Sequence, residues 1–592
     1  MVRAVNPRAA RFVTSLAFLG GLTLVVVLDR TGPPVSPVST LEVRFTEVAR
    51  QAGIDFVHQA PALDPKLDNV APLVAALGAC VSVADVDTNG WMDLFFTNSR
   101  FGAPNALYLN RGDGTFREAA RQAGLADLNR AGEGVSMGAV WGDYDNDGFE
   151  DLLVYRWGYL QLFHNRGDAT FEDVTEAAGL RHWMNANAGV WLDYDRDGVL
   201  DLYVGGYFRS DLDLWHLAGT RIMHNSFEFA TNGGQNRLFH NRGDGTFEDA
   251  TEAMGVGSTR WTMAVASADF NDDGWPDLYL ANDYGPEQLF LNRQGERFEL
   301  VDAGLTGDSK SGMSVSLGDL HNRGRLDVFV TNISERGYLF HGNNLRLNFL
   351  PELDRFEETA TGAVADAGWA WGAQFGDLNN DGLLDLFVVN GYVSGDRDRD
   401  YWYAMSKVAG AQGNIFEDAR NWPAVGSLSL SGYEQSRVLV NRGAEGLQDV
   451  AEATGVTDEY DGRSVALADL FNRGVLDVVV ANQRGPALLY RNEGDPGRHW
   501  IGFRLVGRAS NRSAIGAEVT IEFGDVRQRQ VVAGGMGFCS QNDRRLHFGL
   551  GDAARVDRVT IRWPSGRSQV IERPAVDRKH VVVEGEPVAV RD

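Results

Sequence analysis

The chain has 592 residues and a formal net charge of −26, from 55 Lys and Arg against 81 Asp and Glu. That balance excludes nucleic acid as the main partner, because neutralising phosphates takes clustered cations. A 44% hydrophobic content excludes a disordered chain, and the presence of only Cys80 and Cys539 excludes a disulfide framework.

At the amino terminus, Arg3, Arg8 and Arg11 precede an uncharged run over 12–28 rich in Leu and Val, followed by a linker with Pro33, Pro34 and Pro37. Cations that stay on the cytoplasmic side and an apolar run that enters the bilayer make an export signal. With no clear small-x-small cleavage site, the expectation for residues 1–40 is a retained membrane anchor, a cleaved signal peptide being the other form. Either places the rest of the chain outside the cytoplasm: periplasmic, at the cell surface or secreted. The membrane is then met only through this segment.

From residue 41 an internal repeat takes over. An aromatic residue followed by an acidic-apolar run and Ala-Gly or Thr-Gly recurs from Phe45 through Phe116, Phe171, Phe247, Phe298 and Phe356, with a weaker copy at Leu447. Between these lie acidic loops. Their first, third, fifth and ninth positions are Asp85, Asp87, Asn89 and Asp93; Asp143, Asp145, Asp147 and Asp151; Asp193, Asp195, Asp197 and Asp201; Asp269, Asn271, Asp273 and Asp277; and Asp377, Asn379, Asp381 and Asp385. Two further copies, 319–327 and 469–477, are eroded: His321 with Arg323, and Phe471 with Arg473, replace their third and fifth positions. The flanks read as strands, and a second turn signature, clearest at Asn110, Asn165 and Asn241, joins two more strands. Each repeat is thus four strands, the size of a propeller blade. The last copy lacks its own outer strand, and the Phe45 segment is expected to supply it, removing an exposed edge. The fold expected is all-β: a seven-bladed β-propeller over 41–495.

Four side-chain oxygens at these positions, with Gly at the sixth, suit a hard divalent cation, and the spacing differs from an EF-hand. The five intact loops contain no His or Cys, which disfavours zinc and copper and leaves calcium ahead of magnesium. About five bound calcium ions are expected, with all twenty of those residues as candidate ligands. In the eroded loops, Arg323 and Arg473 stand among the remaining acids and offset their charge in place of an ion.

Two long insertions break the repeat, at 205–236 and 391–437. Both leave the second strand of a blade at the end opposite the acidic loops, so they are expected to share one rim. They carry aromatics and carboxylates that suit sugar or peptide contacts; Trp215, Tyr401, Trp402 and Tyr403 are the candidate rim residues. Arg-Gly-Asp at 111–113, 166–168 and 242–244 falls at one repeat position and reads as turn chemistry. His547 reads as a structural histidine.

Residues 496–592 change composition and alternate apolar with polar positions, as in Val519-Thr-Ile-Glu-Phe523 and Val559-Thr-Ile-Arg-Trp563, which suits a small β-sandwich. The acidic loops resemble the FG-GAP/VCBS repeats of integrin α-subunit propellers. The tail, with Asn511-Arg-Ser-Ala-Ile-Gly-Ala517, Gly534-Gly-Met-Gly-Phe538 and Leu546-His-Phe-Gly-Leu-Gly551, is similar to the ASPIC and UnbV domain. Together they resemble the cartilage acidic protein 1 family over about 41–585, departing from it at the two eroded loops and at Cys539. The resemblance implies a calcium-binding extracellular module and brings no catalytic residue to transfer. No nucleophile elbow, phosphate-cradling loop or His-Glu-x-x-His stretch is present. The function expected is a monomeric, non-catalytic adhesion or binding module for a protein or carbohydrate ligand. The alternative is an enzyme or accessory protein acting on polysaccharide or on a secondary metabolite, as for UnbV-like proteins of enediyne clusters.

Overall fold

The structure is a computed structural model that describes residues 43–305, 311–335, 337–409, 415–495 and 497–587. The expected amino-terminal anchor lies outside the described residues. Among those residues, no helix is long and apolar enough to cross a membrane.

Among the described residues seven sheets, hereafter blades, follow one another, each built on four antiparallel strands, the first carrying a fifth, parallel strand from the carboxy-terminal part. In each, an acidic loop joins the innermost strand to the second: Gly134–Gly142 to Asp151–Gly158 in the second blade, and Ala186–Leu192 to Asp201–Gly206 in the third. Phe45–Glu47 pairs with Leu488–Asn492 in the register Phe45↔Asn492, so the first strand of the chain is the outer strand of the last blade. The edge that would otherwise stand open at each end of the repeat is closed.

Two side chains per blade explain the repeat. The ninth-position Asp opens the second strand and uses both oxygens internally. Asp151 Oδ2 accepts from Tyr144 N (3.2 Å), and its Oδ1 accepts from Asn165 N (2.8 Å). The same pair of bonds forms at Asp93, Asp201, Asp277, Asp327, Asp385 and Asp477. An Asn at the end of each third strand, penultimate only in Asn344–Phe349, then reaches sideways. Asn110 donates to Leu470 O, Asn165 to Val86 O, Asn241 to Tyr144 O, Asn292 to Tyr194 O, Asn348 to Phe270 O, Asn441 to Leu320 O and Asn492 to Leu378 O, at 2.6 to 3.0 Å. Every acceptor lies in the preceding blade, and Asn110 of the first blade reaches the last. The ring closes through hydrogen bonds as well as through a shared sheet.

The carboxy-terminal part forms a four-stranded sheet of Glu518–Phe523, Val526–Val531, Arg558–Arg562 and Ser568–Glu572, and a three-stranded one of His499–Val506, Leu546–Gly551 and Arg578–Val583. The described residues from Val43 onward form one compact unit, and one buried apolar cluster runs through Trp141, Trp371, Phe538, Ile515 and Phe548. The continuity comes from the segment 534–543, which enters the ring. Ser540–Gln541 pairs in parallel with the innermost strand of the first blade. Gly534 O accepts from Trp191 N (3.2 Å), Gly537 N donates to Val315 O (2.7 Å), Gln541 Oε1 accepts from Trp141 N (2.7 Å), and Asp543 N donates to Leu467 O (3.0 Å). Gln374 Nε2 adds a bond to Ser540 Oγ (3.1 Å). Six of the seven innermost strands therefore hold this plug. Cys80 and Cys539 are both buried there as free thiols.

Candidate functional site

The strand Asp201–Gly206 carries a loop acid at its first residue and the first insertion after its last, so one blade links two opposite ends of the ring. At the loop end, carboxylate oxygens of Asp85, Asp87 and Asp93, of Asp143, Asp145 and Asp147, and of Asp193, Asp195 and Asp201 lie within 4.8 Å of one another. Asp193 is 3% exposed and neither of its oxygens has a hydrogen-bond partner; Oδ1 of buried Asp85 also lacks one. Burial pushes the Asp143 and Asp193 carboxyls up to about 8, with neighbouring acids adding to it. Orphaned, mutually repelling oxygens of this kind fit a hard divalent cation.

The remaining loops differ. In the fourth blade, Arg562 of the carboxy-terminal part donates to Asp269 Oδ2 (2.6 Å), so a guanidinium stands at the first position of the loop that also carries Asn271, Asp273 and Asp277. In the sixth, Asp377 accepts from the N–H groups of Asp381 and Gly382, and Asn379 donates to Asp381 Oδ2 (2.9 Å), with Asp385 behind them. In the eroded loops the cations stand where the sequence puts them: Arg323 pairs with Asp327, Arg473 with Asp477 (2.9 Å), and Lys579 adds a bond to Asp469 (2.9 Å). His547 Nε2 meets Asn380 Oδ1 at 2.6 Å, a structural contact between the two parts.

The sequence reading missed two residues here. His164 Nδ1 lies 3.2 Å from Asp145 Oδ2 and 3.3 Å from Asp151 Oδ1; His240 Nδ1 lies 3.1 Å from Asp201 Oδ1 and 3.7 Å from Asp195 Oδ2. Neither belongs to the loop it faces. Each sits on the third strand, one residue before the stitching Asn, and that position is the only signal that could have found them.

At the other end, the two insertions form one roof. Met223 N donates to Glu417 O (3.1 Å), Ala419 N to Thr220 O (2.9 Å), and Thr220 Oγ1 to Asp418 Oδ1 (2.6 Å). A third segment joins them, because Asn69 Nδ2 donates to Ala419 O (2.6 Å) and Trp422 O (2.9 Å). Beneath the roof is a cavity of about 440 Å³, walled by Tyr207, His224, Trp261, Asp283, Tyr284, Trp369, Tyr392 and Trp402 among others. Of the four rim candidates only Trp402 lines it; the ring stacks on Tyr338 with centroids 5.6 Å apart. Trp215 packs instead on Phe101 (4.6 Å). Tyr401 is fully buried and donates to Pro423 O (2.6 Å), whereas Tyr403 is 65% exposed beneath Lys407. On the helix Trp402–Ala409 consecutive residues project about 100° apart, so a cluster of neighbouring aromatics cannot all face one cavity.

Two buried polar groups mark the wall. Tyr207 Oη donates to Asp283 Oδ2 (3.0 Å), and burial pushes this carboxyl up to about 7 against the hydroxyls of Tyr207, Tyr284 and Ser311. His224 stacks on Tyr284 at 3.7 Å and donates through Nδ1 to Ser226 O (2.8 Å). Burial lowers its pKa to about 3, so it is neutral, and its Nε2 is an acceptor without a partner.

The comparisons with known proteins follow this division. The FG-GAP-like repeat family matches residues 85–154, 143–204, 229–280, 269–330 and 321–388, and the ASPIC and UnbV family matches 507–589. Cartilage acidic protein 1 of Xenopus tropicalis is 35% identical over 164 residues, 27% of this chain and 25% of that protein; the Homo sapiens protein is 34% identical over 173, with the same shares. The chain thus carries FG-GAP-like repeats followed by an ASPIC and UnbV domain, and is similar to cartilage acidic protein 1 over about a quarter of that protein's length. Among solved structures, an Agrocybe aegerita lectin described as recognising non-reducing terminal N-acetylglucosamine superposes with a TM-score of 0.36 at 16% identity, over 69% of this chain and 86% of its own. BBS1N in complex with ARL6DN superposes at 0.39 and 10% identity, over 74% and 95%.

Proposed function

We propose that the chain is an extracytoplasmic recognition module, braced by calcium at its loop end and binding a carbohydrate or peptide ligand in the aromatic cavity at the other. The observation that carries this reading is the cavity itself, a 440 Å³ space built by two insertions that the propeller repeat does not need. Concave, mostly apolar sites with a few convergent polar groups are where small ligands bind. Stacked faces such as Trp369 on Tyr392 (4.3 Å) offer platforms for a sugar ring or an aromatic side chain. Asp283 and the free Nε2 of His224 supply an acceptor pair for ligand hydroxyl or amide donors.

In the loops, calcium would be held by Asp85, Asp87, Asn89 and Asp93 in the first blade, and the corresponding residues of the next two would likewise hold a divalent cation. The sites of the fourth and sixth blades complete the proposed set of about five. Bound calcium neutralises carboxylates that the fold has already gathered, and the position-nine acids keep their backbone bonds while it does so.

A second reading, catalysis in the same cavity, is favoured by Asp283: a buried carboxyl with a pKa near 7 is poised for proton transfer. One glycan and peptide screen separates the two. Retention without product supports the recognition module, and product release supports the enzyme. The Trp402→Ala variant should lose retention by at least tenfold. Retention unaffected by that change would place the ligand elsewhere.

A further inference from the structure

The loops of the second and third blades differ from the rest in two coupled ways. They alone carry Asp at the first, third, fifth and ninth positions together, and they alone have a histidine on the facing third strand. In the first, fourth and sixth blades one loop ligand is Asn, and the facing residue is Leu109, Leu291 or Val440. Three carboxylates pair with an aliphatic neighbour, and four with an imidazole.

The geometry brings these groups to one point. Ligand atoms of Asp145, Asp151 and His164 lie within 4.8 Å of one another, as do those of Asp195, Asp197 and His240. Each set shares an acid, Asp145 or Asp195, with the all-carboxylate group of the same loop. In the third blade the buried Asp193 adds a carboxylate whose two oxygens have no partner at all. Metal–ligand bonds of about 2.0 to 2.1 Å in a tetrahedral zinc site put neighbouring ligand atoms roughly 3.3 Å apart. The His164 separations of 3.2 and 3.3 Å and the His240 separations of 3.1 and 3.7 Å bracket that edge.

We infer that the second and third blades hold a borderline transition-metal ion, zinc being the type, in mixed carboxylate–imidazole sites, and that the oxygen-only loops are left to calcium. Imidazole nitrogen suits zinc, whereas calcium takes oxygen ligands almost exclusively. His164 and Asp145, Asp147 and Asp151 form one ligand set; His240 and Asp193, Asp195, Asp197 and Asp201 supply the other. The inference rests on the reading that these loops hold divalent ions, and it sharpens which ion.

The test uses the full chain, stripped with chelator, equilibrated with millimolar calcium and micromolar zinc, desalted, and counted by elemental analysis. About two zinc ions per chain are expected alongside calcium. The variant His164→Leu/His240→Leu, which copies the Leu of the first and fourth blades, should lose both zinc ions and retain calcium. Cobalt-loaded wild-type protein gives a reading that needs no variant: tetrahedral cobalt absorbs in the visible range, and added zinc should bleach it. Calcium without zinc, or zinc unchanged in the double variant, overturns this inference while leaving the calcium reading intact. Neither metal on the chain overturns both.

Discussion

Asn165 shows how much of the ring rests on single side chains. Its amide donates to Val86 O in the previous blade and to Glu150 O (3.1 Å) in its own, and its Oδ1 accepts from Gly167 N (3.0 Å). Asn165→Ala strands these partners and should cost about 2 to 3 kcal/mol in a denaturant melt. A loss below about 0.5 kcal/mol would mean that the stitch is ornamental. Asp283 makes a different residue-scale prediction. Its folded carboxyl titrates near 7 and the unfolded one near the ordinary carboxylate value, so between those pH values the folded chain holds the proton that the unfolded chain has lost. Wild-type stability therefore falls across that window through this group, and is unaffected by it below. Asp283→Asn removes the penalty, and its stability relative to wild type should rise by on the order of 4 kcal/mol from pH 4 to pH 8. A pH-independent difference would show that the carboxyl is not held up by burial. The Arg-Gly-Asp triplets are explained at this scale too. Asp113, Asp168 and Asp244 each accept from the N–H and hydroxyl of the Thr two residues on, which is turn chemistry.

At the scale of elements, the acidic loops were legible because each sets its geometry within nine residues. The outer strand at Phe45 was legible because a repeat missing one strand must find it elsewhere. The plug was not, because its partners are remote: Trp191 and Gly534 are adjacent in space and lie over 300 residues apart in the chain. Nor were His164 and His240, whose strand position shows only once the sheet is paired. The shared roof was foreseen from the topology of the insertions, but the residues lining it were not, since helix phase decides which aromatic turns inward. The plug yields its own prediction. A Cβ on Gly534 would lie 1.9 Å from the main-chain Trp191 O and 3.0 Å from Ile515 Cγ2. Gly534→Ala should destabilise the whole chain by about 3 kcal/mol or more, since overpacking against main chain has no side chain to yield. A wild-type melting curve would show that the segment can slide within the ring.

At the scale of the molecule, the two ends of the ring have separate tasks. The carboxy-terminal part covers the acidic face through Arg562 on Asp269, Lys579 on Asp469 and His547 on Asn380, and fills the centre with its plug. The opposite end is left for the roofed aromatic cavity. Much of the −26 charge of the chain is thus gathered at one end, in carboxylates that burial and mutual repulsion disfavour until a cation joins them. The central claim, that divalent ions brace this end, is tested most directly by melting the full chain in millimolar calcium and again after chelation at the same pH. At [Ca²⁺] near a hundred times Kd, each site adds about 2.7 kcal/mol, so three or more sites should raise Tm by roughly 5 °C or more. A Tm that the chelator leaves unchanged would contradict the account.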